Sequence, residues 1–242
     1  HGLDYLDGLL NDGDAFAAHP KIDPGNPEQG QEPRLVNFSI STGLSSKITL
    51  FEFAPSGECV KSYSRTVPGF AFMHDFALTP NYAIFFQNPV SFNPVPFVLG
   101  MKGAGECVQF NPKEATKIIL IPRDRESPAK IIEAPAGFVF HHANAFETDG
   151  RVVVDSIVYN GFPSLEEGQT YLDVDFSQVP EGQLWRFTLG VEAGTSESTC
   201  LIERCCEFPT LHPRYVGHHY RYLYIGATHQ PRGNAPLQAL LK

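Results

Sequence analysis

Phe140-His141-His142-Ala143-Asn144-Ala145-Phe146-Glu147 follows the apolar run Gly137-Phe138-Val139 and turns a strand-like segment into a polar one at a pair of histidines. Two other segments frame a histidine in the same conspicuous way. They are Ala18-His19-Pro20-Lys21-Ile22-Asp23-Pro24 and Met73-His74-Asp75-Phe76-Ala77-Leu78-Thr79-Pro80. His19 and His74 are 55 residues apart, and His74 and His141 are 67 apart. Histidines so separated share no helix and no hairpin. If they meet, a closed fold of many elements brings them together around a common ligand. A metal ion is the usual one, because neutral imidazole is the commonest protein metal ligand.

The surrounding text is strand-like. Short runs rich in Val, Ile, Tyr and Phe are separated by turn signals: 47–53, 81–86, 117–121, 130–133, 137–141, 152–159, 183–190 and 220–225. Residues 1 to about 33 read as loop. Twenty prolines and twenty-one glycines break most helical windows. A helical turn or two over Leu3–Leu10 and a short helix over Ala235–Leu241 are the remaining candidates. The fold class is therefore all-β, with sandwich, barrel and propeller as the architectures that many short strands suggest. The histidine spacings favour a propeller, with about one histidine per blade of roughly 40–50 residues and an insertion. The tetrapeptide Gly-Glu-Cys-Val, at 57–60 and again at 105–108, is a weak hint of the same period.

Composition narrows the partners. With 42% hydrophobic residues, 19% charged residues and a net charge of −9, the chain is an ordinary globular one without a basic stripe, so a nucleic-acid partner is not expected. Five cysteines without Cys-x-x-Cys spacing fit a reducing, cytoplasmic setting better than a disulfide framework. Cys205 and Cys206 read as small buried apolar residues. The chain begins at His1 and stops in apolar text at Lys242, which reads as an internal piece of a longer protein, one incomplete domain over 1–242.

The three histidine frames, with Asn81-Tyr82 after the second and Glu207-Phe208-Pro209 then Tyr220-Arg221-Tyr222-Leu223-Tyr224 further on, resemble the carotenoid cleavage oxygenase family. The text from Asn88 to Gly105 is most similar to its bacterial members. The resemblance implies part of a seven-bladed β-propeller, with loops and short helices capping a tunnel face. It also implies a non-haem Fe(II) held by four histidines, of which His19, His74 and His141 would be three. At the third site His142 competes. The frame Phe-His-x-x-Asn selects His141, since Asn144 stands three residues on, and in a strand His142 would face the other way. His212, His218, His219 and His229 sit in unrelated frames, so the fourth ligand is expected beyond residue 242. Glu207 matches a carboxylate that hydrogen-bonds a ligand imidazole.

The activity so implied is cleavage of a conjugated double bond of a carotenoid or apocarotenoid with O2, giving two carbonyl products. A stilbene-type phenylpropanoid substrate is the alternative on the same fold. A propeller that binds a lipophile or a protein without turnover is the alternative from another class. The stretch Pro96-Phe97-Val98-Leu99 resembles a membrane-dipping patch at the tunnel mouth, against a plain reading as core between two strands. It is far too short to span a bilayer, so contact would be peripheral.

Overall fold

Val, Ile and Phe crowd most segments, and the backbone arranges them into antiparallel sheets. In the computed structural model, residues 2, 4–12, 14–43, 45–163, 174–231 and 237–242 are described. The first sheet holds β1 (Ala15–Phe16), β2 (Lys21–Asp23), β3 (Arg34–Ser41), β4 (Ser45–Phe53) and β5 (Cys59–Pro68), with β1 and β2 both paired to β3. The second sheet holds β6 (Ala77–Leu78) and β7 (Tyr82–Gln87). After an excursion through β8 (Val90–Phe92), the short helix α1 (Pro94–Val98) and β9 (Val108–Phe110), it is completed by β10 (Thr116–Pro122) and β11 (Lys130–Ala134). The third contains β12 (Phe138–Thr148), β13 (Arg151–Tyr159), β14 (Gly182–Gly190) and β15 (Thr195–Ile202). The fourth contains β16 (Cys206–Thr210), β17 (Tyr224–Ala227) and β18 (Ala239–Leu241).

The second and third sheets are covered on both faces by their neighbours. On β7, Ala83 and Phe85 point to the first sheet and pack with Val36, Phe38, Ile48 and Leu50. The alternate residues Ile84 and Phe86 point to the third sheet and pack with Val139, Val154, Phe187 and Leu189. Strand β10 divides in the same way, Ile119 and Ile121 to one side and Ile118 and Leu120 to the other. A third interface joins Phe138, Ile157 and Leu184 to Cys206, Ile225 and Ala227 of the fourth sheet. Strands buried on both faces read as continuous apolar runs, as Ile118-Ile119-Leu120-Ile121 does. Each such side chain contributes about 1.5–3 kcal/mol on burial.

Meandering sheets stacked face to face in chain order are the blades of a propeller. Their opening strands gather along one edge, where β2 contacts β6, β6 contacts β12, and β12 contacts β16. That common edge is where the framed histidines lie.

Several expectations are corrected. The loop over the first 33 residues contains β1 and β2. The turn at Leu6, Asp7 and Gly8 has positive φ at all three residues, so it cannot be right-handed helix; Leu3 lies outside the described residues. The C-terminal helix candidate is β18 from Ala239 onward, and Ala235 and Pro236 lie outside the described residues. The run 220–225 becomes strand only at Tyr224, because Tyr220 is drawn away to hydrogen-bond Asp155. The two Gly-Glu-Cys-Val copies are not equivalent: the first is the β4–β5 turn, the second a 3-10 turn entering β9. The core reading of Pro96–Leu99 fails too. Phe97 is 47% exposed, Val98 78% and Leu99 66%, beside Val95 and Met101 at 61% and 72%.

Candidate metal centre

His19 stands where an edge strand is broken. Strands β1 and β2 pair with the same partner β3, and the chain lifts off between them at Ala18-His19-Pro20. Asn37 of β3 holds the near side of the break, its Nδ2 donating to the Ala17 carbonyl at 2.9 Å. His74 lies just before β6. His141 lies in β12 at a bulge, where the register with β13 slips between Val139 and His142 and again before Asn144. A bulge re-aims a side chain off the sheet face. It turns His141 toward the common edge while His142 stays in the sheet.

The three rings converge. One ring nitrogen from each of His19, His74 and His141 lies within 4.8 Å of the others, and all three residues are half-buried. The Nε2 atoms of His19 and His74 are 2.9 Å apart, close enough to share a proton or a cation. Burial lowers the pKa of both His19 and His74, and the neighbouring rings lower each further, so both favour the neutral, lone-pair-bearing state. Three imidazoles aimed at one point form a donor set that suits a first-row transition metal.

Glu207 of β16 fixes His141. Its Oε2 is 2.8 Å from His141 Nδ1, its Oε1 accepts from the Tyr159 hydroxyl at 3.0 Å, and Oε2 also accepts from the Phe208 amide at 2.5 Å. With Nδ1–H donated to a carboxylate, Nε2 is the nitrogen of His141 left to serve as a ligand, and the bond holds the ring in that orientation. Phe208 adopts φ 57°, and its ring lies 5.5 Å from that of His141. Burial, then the Glu207 charge, raise the Tyr159 pKa, so its hydroxyl stays a donor.

His142 lies elsewhere. It is 4% exposed, packs against Phe86 with ring centroids 4.8 Å apart, and bonds the Ser156 hydroxyl through Nδ1 at 2.8 Å. Burial pushes its pKa down to about 4. Asn144 explains its place in the frame. Its Nδ2 donates to the carbonyls of Tyr215 and His218 at 2.9 Å each, and its Oδ1 accepts from Gly217 N at 3.0 Å. The segment 215–218 is thereby pinned against β12. Of the histidines in unrelated frames, His212 caps a 3-10 turn and His219 rests on Phe146.

Two residues beside the site, Lys21 and Asp75, were not singled out from the sequence. Asp75, directly after His74, is 4% exposed and bonded by Lys21 and by the His142 amide. Burial alone would raise its pKa, but Lys21 and the neighbouring donors outweigh it and hold the carboxyl below its usual value. The adjacency His74-Asp75 was the available signal.

An aromatic wall flanks the cluster. Phe140 meets His74 at 5.6 Å between ring centroids and continues into Phe138 at 4.6 Å and Phe162 at 6.3 Å, and Phe162 meets Phe72 at 6.1 Å. Val90 and Phe110, at the base of the hairpin that carries α1, pack on the same cluster. At its tip Phe97 leans on Phe92, which stacks on Phe70.

The sequence profile described as retinal pigment epithelial membrane protein matches residues 1–242. Apocarotenoid-15,15'-oxygenase of Synechocystis sp. is 51% identical over 241 residues, covering 100% of this chain and 49% of that protein. Isoeugenol monooxygenase of Pseudomonas putida is 27% identical over 224 residues, covering 92% of this chain and 45% of the relative. The crystal structure of cobalt-substituted Synechocystis ACO superposes with a TM-score of 0.94 at 50% identity, over 99% of this chain and 50% of that one. The chain thus spans about half the length of these relatives.

Proposed function

The chain belongs to the retinal pigment epithelial membrane protein family, and from that premise we infer that the protein cleaves a conjugated carbon–carbon double bond of a carotenoid or apocarotenoid with O2, giving two carbonyl products. The observation that carries this reading is the convergence of His19, His74 and His141 beside the Phe140, Phe138, Phe162 and Phe72 wall. Fe(II) is the cofactor the reading requires, and bound there it would supply the electron that activates O2.

The three histidines would hold that iron, and the donor set fits it: three imidazole nitrogens, one ring locked by a carboxylate. Glu207 brings negative charge close to the imidazoles without entering the metal's coordination sphere. The aromatic wall binds and orients an apolar polyene and excludes water from it. Positioning is then the main contribution of the protein, and the depth to which the polyene enters selects the bond. No acid or base residue is called for.

The exposed Val95, Phe97, Val98, Leu99 and Met101 around α1 support delivery of that substrate from a lipid surface, with Pro96 shaping the turn. Among the described residues no helix is long and apolar enough to cross a membrane. This contact would be peripheral, on a cytoplasmic membrane face. In liposome flotation, the full-length protein should float, and Phe97→Asp with Leu99→Asp should leave it in the soluble fraction; flotation unchanged by the pair would contradict the contact.

The isoeugenol relative favours a second reading, cleavage of an arylpropene or stilbene double bond. The deciding experiment loads the full-length protein with Fe(II) and offers an apocarotenoid and a stilbene under labelled O2. Labelled aldehydes from the apocarotenoid support the first reading, and aldehydes from the stilbene alone support the second. No product and no retained iron would leave a binding propeller.

A further inference from the structure

Each of the three histidines has a neighbour in sequence that meets one buried carboxylate. Asp75 follows His74 directly. Lys21, two residues after His19, places its ammonium 2.8 Å and 3.1 Å from the two carboxylate oxygens. His142, next after His141, donates its backbone amide to Asp75 Oδ2 at 2.9 Å. Three chain segments from three sheets are therefore tied together just behind the rings they carry.

Apolar packing could hold these segments at the same distance, but it would not fix how far one slides along another. A directional bond does. Lys21 lies on β2, just past the break that frees His19, and its ammonium is also 5.9 Å from the Phe76 ring. The bond to the His142 amide falls within the β12 bulge, where the ladder to β13 is disrupted and register is least constrained. Asp75 thus ties the β12 bulge, where the ladder is disrupted, to β2, where Lys21 is already held in register opposite Val36.

We propose that Asp75, with Lys21, is a positioning residue that sets the mutual geometry of His19, His74 and His141 and so the affinity of the site for its metal. The proposal rests on the reading of the three histidines as metal ligands. Losing such support around ligating residues costs about 10–100-fold in metal affinity.

The test uses the full-length protein with Fe(II) in anaerobic chelator competition, and Co(II) for its visible spectrum. Thermal unfolding of the metal-free protein is followed in parallel. Asp75→Asn keeps the shape and an acceptor for the His142 amide but leaves Lys21 without its counter-ion. Lys21→Met leaves the carboxylate unpaired. Each should weaken Fe(II) binding at least tenfold and shift the Co(II) bands. The double variant Lys21→Met/Asp75→Asn restores charge balance. It should regain much of the metal-free unfolding temperature while affinity stays at least tenfold low, because His19 is no longer tied. If affinity and spectrum recover together with stability, or never change in the singles, the positioning role is overturned. If Asp75→Asn does not fold, Lys21→Met and the double variant separate the same two outcomes. If wild type binds no Fe(II), the metal reading fails instead.

Discussion

At the residue scale, the difference between His141 and His142 is one of environment. His141 reaches Glu207 and the other two rings, whereas His142 is sealed against Phe86 and bonded to Ser156. Glu207→Gln keeps the size of the side chain and removes its charge. Iron affinity of the full-length protein, by anaerobic chelator competition, should fall about 10–100-fold. The cysteines offer a separate check. Cys205 and Cys206 are buried, and burial pushes the Cys206 thiol up to about 12, so its reactive thiolate is scarce at pH 8. Iodoacetamide at pH 8 should label the half-exposed Cys59 and Cys200 first and spare Cys206 until the protein unfolds; peptide mass mapping reads the order. What the sequence revealed at this scale followed from local frames. His141, Asn144 and Glu207 could be picked out because they recur in a recognisable text. Asp75 and Lys21 stand in the same frames, but their pairing was hidden, since it is a contact across 54 residues. Phe208 was equally hidden, because nothing in Glu207-Phe208-Pro209 announces a positive φ at a phenylalanine.

At the element scale, doubly buried strands such as β7 and β10 were legible as apolar runs. Strands with polar or small residues, such as β5 and β15, were not, because their stability comes from pairing with β4 and β14 rather than from their own pattern. The bulge in β12 was likewise invisible, although it is what separates two adjacent histidines. The third sheet is also clasped from outside. Asp155 of β13, fully buried, takes two bonds of 2.8 Å from Arg186 of β14 and one from the Tyr220 hydroxyl. Asp155→Asn removes the charge while Arg186 keeps partial access to water. A loss of about 2–3 kcal/mol is expected in denaturant unfolding, with iron affinity much less affected than in Glu207→Gln. An Asp155→Asn protein as stable as wild type would show the clasp to be dispensable.

For the whole molecule, stacked sheets turn residues far apart in sequence into neighbours, because their opening strands share one edge. His19, His74, His141 and Glu207 each lie in or beside the opening strands of a different sheet along it. The period of the histidines carried this arrangement in the sequence, whereas the Gly-Glu-Cys-Val repeat had no part in it, since the tetrapeptide recurs at turns of unlike context. On the function proposed above, this shared edge would be a metal centre with His141, and not His142, as a ligand. Iron content of the full-length protein, measured after anaerobic loading and desalting of wild type, His141→Ala and His142→Ala, tests it most directly. Wild type and folded His142→Ala, though the latter is less stable, should retain iron, and His141→Ala should lose it. Iron retained by His141→Ala and lost by a folded His142→Ala would contradict it.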